Sequence, residues 1–166
     1  TGKTQHKMFT DLTAFLKPGD CLVFNDSRVI PARLIGERET GGAAEILLLK
    51  PLGNDAWEAL ARPGRRLRPG AKVSFGGGLV TAEILSVGDG GIRQVRFSYE
   101  GDFDALLSRL GRTPLPPYIK KELDDPERYQ TVYSKNLGSA AAPTAGLHFT
   151  NETLEKLRAM GVYTAF

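Results

Sequence analysis

A run of four polar residues, Asn25-Asp26-Ser27-Arg28, follows directly after the short apolar stretch at residues 21–24. The carboxyl end of a strand is where α/β folds usually place a binding or catalytic site. Asp26 could act there as a base or accept a ribose hydroxyl, and Arg28 could hold a carboxylate or phosphate through two parallel hydrogen bonds. The same residue types also form ordinary turns, so a site and a turn stay open as alternatives.

A second unusual segment lies at residues 140–150, where seven residues of little bulk precede His148. Small residues allow a ligand to approach the backbone closely, and the helix predicted to follow would present an N-terminus that favours anions. His148 is of a residue type suited to general acid–base chemistry. The alternative is a flexible linker carrying an exposed or hydrogen-bonded histidine.

Four cations fall within seven residues of the β-rich part of the chain: Arg62, Arg65, Arg66 and Arg68. Such a cluster suits contacts with nucleic-acid phosphates, and Lys120 and Lys121 could add to it. The net charge of +3 is too small to indicate a nucleic-acid partner, so the indication comes from the local cluster. A solvated charged loop is the alternative explanation.

Composition excludes several classes of protein. One Cys rules out a disulfide framework, and two His nearly exclude a Cys/His zinc site, so no metal site of that kind is expected. No apolar run reaches the roughly 18–20 residues of a membrane span, and the first residues lack the pattern of a secretory signal. We therefore expect a cytoplasmic protein with no membrane partner.

The first four residues, Thr1-Gly2-Lys3-Thr4, resemble the end of a P-loop, and residues 21–26 resemble a Walker B strand. The glycines that open a P-loop are missing, and its fold needs parallel strands. A P-loop NTPase fragment is therefore the weakest of the functions considered.

The elements that position these residues follow from hydrophobic spacing. Helical spacing predicts helices over 8–16, 103–110, 126–133 and 151–160, the last with Thr150 as N-cap. Six short β-rich runs between residues 29 and 99 are separated by Gly-rich turns, which is typical of a small antiparallel barrel or sandwich. The fold class predicted is a mixed α/β (α+β) domain, formed by residues 1–35 and 100–166, that carries an inserted small β-barrel domain at 36–99. Residues 162–166 have strand composition with no turn after them, which suggests a fragment of a longer protein.

Four segments, in this order, resemble motifs of one known family: DCLVFNDSRVIPARL at residues 20–34, PLPPYI at 114–119, YQTVY at 129–133 and AAPTAGLHFT at 141–150. The family is that of the S-adenosylmethionine:tRNA ribosyltransferase-isomerases of queuosine biosynthesis. The resemblance extends from about His6 to the end of the chain, and residues 36–99 match only in their general pattern of short β-rich runs and turns. Its members continue beyond both ends of this sequence, so the resemblance implies a fragment, which we expect to catalyse poorly or not at all on its own.

The resemblance implies an α/β domain with an inserted β-barrel and an unusual reaction. S-adenosylmethionine serves as a co-substrate that donates its ribosyl part, with no permanently bound cofactor. The acceptor is 7-aminomethyl-7-deazaguanine in the wobble position of tRNA, and the products are epoxyqueuosine, adenine and methionine. A non-catalytic RNA-binding barrel is the alternative function.

The resemblance also implies roles for individual residues. Proton transfer is expected from Asp26 and His148. Residues expected to bind the substrate are Asn25, Ser27, Arg28, Arg33, Pro143, Thr144, Ala145, Gly146 and Phe149. Residues expected to contact tRNA are Arg62, Arg65, Arg66, Arg68, Lys120, Lys121 and Tyr129. For Tyr129, as for Tyr118 and Tyr133, stacking on a base and core packing are the two alternatives.

Overall fold

The computed structural model of the chain describes residue 2 and residues 4–116, 118–119, 123 and 125–166. The strands and α-helices in chain order are β1 (Cys21–Val23), β2 (Ser27–Val29), β3 (Arg33–Arg38), β4 (Ala43–Gly53), β5 (Ala56–Arg62), β6 (Lys72–Phe75), β7 (Val80–Val87), β8 (Arg93–Tyr99), α1 (Phe103–Leu110), β9 (Gly111–Arg112), β10 (Asn136–Ser139), α2 (Asn151–Ala159) and β11 (Tyr163–Ala165). Short 3₁₀ helices lie at Phe9–Ala14, Asp89–Gly91, Pro126–Tyr129 and Thr144–His148.

The described residues form two compact units. The first, here called the α/β unit, consists of residues up to Arg28 together with Glu127–Asn136 and Ala142–Phe166. The second, the barrel unit, consists of Val29–Pro126 and Leu137–Ala141. The barrel unit contains all of the segment 36–99. It also contains residues 29–35, 100–126 and 137–141, which the sequence pattern grouped with the α/β domain.

Six strands close the barrel. Neighbours pair antiparallel in the order β3-β4-β5-β8-β7-β6, and β6 pairs again with β3. Strand β9 adds to β3 at one end, with Leu34 opposite Gly111. Closure leaves no open edge between the six strands, which removes a liability of exposed sheet edges. The predicted antiparallel barrel and the mixed fold class are confirmed.

The barrel forms because its strands alternate between apolar and polar residues. On β4, Ala44, Ile46 and Leu48 are buried at every second position, and Val95 and Phe97 do the same on β8. A period of two places such residues on the interior face of every strand. The interior is therefore filled with side chains.

Helix α1 belongs to the barrel unit and covers part of the barrel core. The Asp102 carboxylate caps it by accepting a hydrogen bond from the Ala105 amide at 2.8 Å. Leu107 is buried in the core cluster, and Phe103 packs against it. The helix predicted at 103–110 is confirmed, including its end before Gly111.

The α/β unit combines a short parallel sheet with helix α2. Strands β1 and β11 pair in parallel, with Cys21 opposite Tyr163. Thr150 is the N-cap of α2 as predicted, since its hydroxyl accepts a hydrogen bond from the Thr153 amide at 3.2 Å. Leu154 and Leu157 point into the interior of the unit.

Two of the predicted helices are shorter 3₁₀ helices in the structure. The helix expected over 8–16 is a 3₁₀ helix at Phe9–Ala14 with no buried residue, and a short helix without a buried face lacks the packing that stabilises an α-helix. The helix expected over 126–133 is a 3₁₀ helix that ends at Tyr129, because the β-branched pair Thr131-Val132 disfavours helix. The segment at 140–150, for which a flexible linker was the alternative, contains the 3₁₀ helix Thr144–His148.

Within the described ranges, no helix is both long and apolar enough to cross a bilayer.

Candidate active site

The Asp26 segment is held by a second segment about 110 residues away in sequence. The backbone oxygen of Asp26 accepts hydrogen bonds from the amides of Lys135 at 2.7 Å and Asn136 at 3.2 Å. The Asn136 side-chain amide donates to Oδ2 of Asp26 at 2.8 Å. Lys135 and Asn136 thus fix the backbone of Asp26, and the Asn136 side chain gives its carboxylate a defined direction.

Arg28 is held by the same segment. Its Nη1 donates to the Ser134 hydroxyl at 3.0 Å, and its Nη2 forms an ion pair with the Glu127 carboxylate. The guanidinium is half-buried and already engaged with side chains. A substrate carboxylate or phosphate would have to share it with Glu127.

The turn between these two residues is itself ordered. The Ser27 amide donates to Oδ1 of Asn25 at 2.9 Å, which is the local bond of an Asx turn. Residues 25–28 therefore form a turn and are also the candidate site. The two alternatives drawn from the sequence, a turn and a site, do not exclude each other. The Ser27 hydroxyl is buried, and it has no hydrogen-bond partner among the described residues.

His148 lies at the end of the 3₁₀ helix Thr144–His148, two residues before the N-cap of α2. Its ring is exposed and stacks on Phe9 at a centroid distance of 5.2 Å and an interplanar angle of 28°. Phe149 packs against Phe9 and Phe24, with ring-centroid distances of 4.8 Å and 4.9 Å respectively. Asp26 and His148 thus share the α/β unit, and the structure describes no hydrogen bond between them.

The structure gives a packing reason for a glycine at position 146, which the sequence did not show. A Cβ on this residue would lie 2.1 Å from the Tyr133 hydroxyl oxygen and 2.8 Å from Cγ2 of Thr131. The room that glycine leaves is filled by these neighbours. Burial raises the pKa of Tyr133 above its ordinary value. Of the small residues before His148, Thr144 and Ala145 are exposed and Pro143 is half-buried.

Arg33 lies in the barrel unit. Its Nη2 donates to the Leu115 backbone oxygen at 3.4 Å, and its Nε lies 3.7 Å from a carboxylate oxygen of Glu45. Both partners are in the barrel unit as well. These contacts tie together β3, β4 and the segment after β9.

The arginine cluster forms the loop between β5 and β6, here called the arginine loop, residues 62–68. Arg62, Arg65, Arg66 and Arg68 are exposed, whereas Leu67 between them is fully buried in the barrel core. The four cations are therefore turned to solvent on a loop that is anchored at its centre.

Other predicted residues differ in their surroundings. Tyr129 is buried, which agrees with the core-packing alternative, and Tyr118 is exposed. Lys120 and Lys121, and Lys3 of the P-loop alternative, lie outside the described residues. Among the described residues, no group of three or more His, Cys, Asp or Glu side chains could hold a metal ion.

Several residues next to the candidate site have no signal in the sequence. Asn136, Ser134 and Glu127 contact Asp26 or Arg28 from a distant segment, and Phe9 stacks on His148. The only local hint is that Ser134-Lys135-Asn136 is a polar run directly after one of the quoted motifs.

Comparisons with known proteins identify the family. A relative from Thermoanaerobacter sp. (strain X514) is 58% identical over 167 residues, covering 100% of this chain and 49% of that protein. A relative from Clostridioides difficile (strain 630) is 56% identical with the same coverage. Both are named S-adenosylmethionine:tRNA ribosyltransferase-isomerase, and this chain spans about half their length.

A crystal structure of S-adenosylmethionine tRNA ribosyltransferase from Thermotoga maritima is 31% identical, with a TM-score of 0.42. The match covers 97% of this chain and 44% of that chain. A family model described as "Queuosine biosynthesis protein" matches residues 1–166, which is the whole chain. The resemblance drawn from the four motifs is thereby confirmed, and the chain belongs to the queuosine biosynthesis protein family.

Proposed function

We propose that the protein acts in a S-adenosylmethionine-dependent tRNA ribosyltransferase-isomerase reaction. It would transfer the ribosyl part of S-adenosylmethionine to 7-aminomethyl-7-deazaguanine at the tRNA wobble position, giving epoxyqueuosine and releasing adenine and methionine. The observation that carries this proposal is the match of the whole chain to the family, at 58% identity to a relative of that name. S-adenosylmethionine is a co-substrate here, no cofactor stays bound, and the place of action is the cytoplasm, where tRNA is found.

The reaction needs a base, and Asp26 is the group proposed for it. A proton leaves C5′ beside the sulfonium, adenine departs, the aminomethyl nitrogen attacks, and closure of the epoxide expels methionine. The Asn136 amide donates a hydrogen bond to Oδ2 of Asp26. Oδ1 is therefore the oxygen proposed to accept the proton. His148 is proposed as the acid that protonates the leaving adenine, since its ring is exposed while stacking on Phe9 holds its orientation.

Substrate binding is proposed for residues of the Asp26 and His148 segments and, separately, for Arg33 of the barrel unit. The buried Ser27 hydroxyl supports this, because a buried polar group without a partner is costly unless a ligand satisfies it. The backbone at 143–145 is the part of the small segment that a nucleoside could approach. Gly146 is not included, since Tyr133 fills the space beside it. The proposed set is Asn25, Ser27, Arg28, Arg33, Pro143, Thr144, Ala145 and Phe149.

Contact with tRNA is proposed for the arginine loop. Its exposed guanidiniums can pair with backbone phosphates whatever the sequence of the RNA. The residues proposed are Arg62, Arg65, Arg66 and Arg68, together with Lys120 and Lys121; Tyr129 is not included because its side chain is buried.

A non-catalytic RNA-binding module is the second candidate, and the exposure of all four arginines on one loop favours it. The two candidates differ in what they need from Asp26. A module that only binds RNA would lose affinity on R65A or R66A and would be indifferent to D26N.

Incubation of the protein with S-adenosylmethionine and precursor-modified tRNA tests the proposal, with free adenine and modified nucleoside measured by mass spectrometry. Adenine released in step with epoxyqueuosine would support the proposal and show that this half of the family suffices for catalysis. Binding of S-adenosylmethionine without adenine release would show that this half of the family holds the co-substrate but lacks part of the catalytic site. A folded sample with neither binding nor turnover would contradict the enzyme proposal and leave the RNA-binding module.

A further inference from the structure

Arg93 is a buried arginine inside the barrel. It begins β8, where it shares the interior face with Val95 and Phe97, and it is 6% exposed. A buried guanidinium is costly unless its N–H groups are all given partners. The contacts that compensate for its burial therefore identify what Arg93 does.

All three nitrogens of Arg93 donate to backbone oxygens. Nε donates to Leu67 at 3.0 Å, and Nη2 donates to Gly64 at 2.9 Å. Nη1 donates to Gly91 at 2.5 Å. Two of the three acceptors belong to the arginine loop, and they lie on either side of Arg65 and Arg66.

The loop backbone has further supports. The Arg66 amide donates to the Pro63 oxygen at 3.1 Å, and Nε of Arg68 donates to the Arg65 oxygen at 3.2 Å. Leu67 is fully buried in the core. The backbone is thus fixed from inside the barrel, while the cationic side chains of the loop extend into solvent.

We propose that Arg93 is a positioning residue for RNA binding: its guanidinium, inside the barrel, fixes the arginine loop so that the exposed cations form a preset surface for RNA phosphates. The inference rests on the proposed contact between this loop and tRNA. A fixed loop binds more tightly than a mobile loop of equal charge, because the mobile loop must lose conformational entropy on binding.

The planar fork of arginine is what this role requires. Three hydrogen bonds to three separate carbonyls match its fixed donor geometry, whereas a lysine ammonium is a point charge on a flexible stem. R93K therefore keeps the formal charge of the protein and releases the loop. R96K is the matched control, since Arg96 lies on the same strand and is exposed.

The experiment measures binding of an unmodified tRNA transcript to the 166-residue protein and to both variants over a range of salt concentrations. Amide hydrogen exchange at residues 64–68 is measured on the same samples. We expect R93K to lose affinity on the order of tenfold with an unchanged slope of log K against log salt, because all surface charges remain. Exchange should become faster at 64–68 and stay unchanged in the barrel strands, and R96K should behave as the wild type.

Three outcomes would overturn the inference. R93K binding as tightly as the wild type would show that the loop needs no fixing. Faster exchange throughout the barrel would assign Arg93 to general stability, and R93Q, with one planar N–H donor group, repeats the test if R93K does not fold. If the wild type does not bind tRNA, the proposed RNA contact itself fails; exchange at 64–68 then still reports separately on whether Arg93 fixes the loop.

Discussion

The arginine of the Asp26 segment and those of the arginine loop differ in which part of the residue is held. In the α/β unit, the Arg28 guanidinium itself is bound by Ser134 and Glu127. In the arginine loop of the barrel unit, the backbone is held and the guanidiniums are exposed. A charged group that is already paired in a fixed geometry suits the orientation of a small substrate. Exposed charges on a fixed backbone suit a polyanion such as RNA.

This contrast separates the two proposed activities by their response to salt and to mutation. Contacts to phosphates release counterions and weaken steeply with salt, whereas hydrogen bonds within the Asp26 segment depend little on it. The α/β unit should therefore control turnover, and the arginine loop should control affinity for RNA. The following changes test that division, beginning with the largest expected effect.

D26N removes the proposed base and should lower adenine release by about 10²–10⁴-fold, while tRNA affinity stays unchanged. The matched variant is the exchange D26N/N136D, which restores an amide–carboxylate pair at the same place. The exchanged pair should form the local hydrogen bond again without restoring adenine release. Recovery of adenine release by the exchange would show that the pair only supports the fold.

R65A/R66A should weaken tRNA binding by roughly 10–100-fold at moderate salt, and each lost phosphate contact should lower the salt slope by about 0.7–0.9. S-adenosylmethionine binding should be unaffected. Titrations at several salt concentrations measure both effects, and K72A, another exposed cation of the barrel, is the control. Equal losses of tRNA affinity in K72A and R65A/R66A would show that the loop is only one part of a diffuse positive surface.

G146A places a Cβ against the Tyr133 hydroxyl and should lower the free energy of unfolding by about 1–3 kcal/mol through overpacking. Tyr133 has little freedom to move, because its ring packs against Phe24 at a centroid distance of 4.7 Å. Urea unfolding measures the change. Y133F/G146A should recover part of the loss, because the nearest atom is then gone. If the double variant is no more stable than G146A, the tyrosine hydroxyl is not the obstacle.

E127Q should have the smallest effect. The pair with Arg28 is partly exposed, with side-chain exposures of 31% for Arg28 and 63% for Glu127, and such pairs contribute about 0.2–1 kcal/mol. Thermal unfolding at low and high salt should show a small loss that salt reduces. A loss of several kcal/mol in the free energy of unfolding would mean that Glu127 stabilises the segment by far more than an exposed ion pair can.

Local patterns predicted much of the fold. The barrel strands and α1 were located to within a few residues, because alternation and Gly-rich turns are signals carried by neighbouring residues. Arg93 shows the limit: its residue type predicts an exposed position, and only closure of the barrel around three carbonyl acceptors makes burial of its charge affordable. The 3₁₀ helix at Phe9–Ala14 shows another limit, since its spacing predicts an α-helix although none of its residues is buried.

The sequence alone determined the antiparallel barrel, the cap of α2, the cationic loop and, through four motifs, the family. These depend on short-range spacing and on the identity of consecutive residues. The tertiary structure decided which side chains hold Asp26 and Arg28, since Asn136 and Glu127 are 110 and 99 residues away from them. It also decided that Gly146 serves packing against Tyr133. Such contacts follow from the path of the whole chain, which no local pattern specifies.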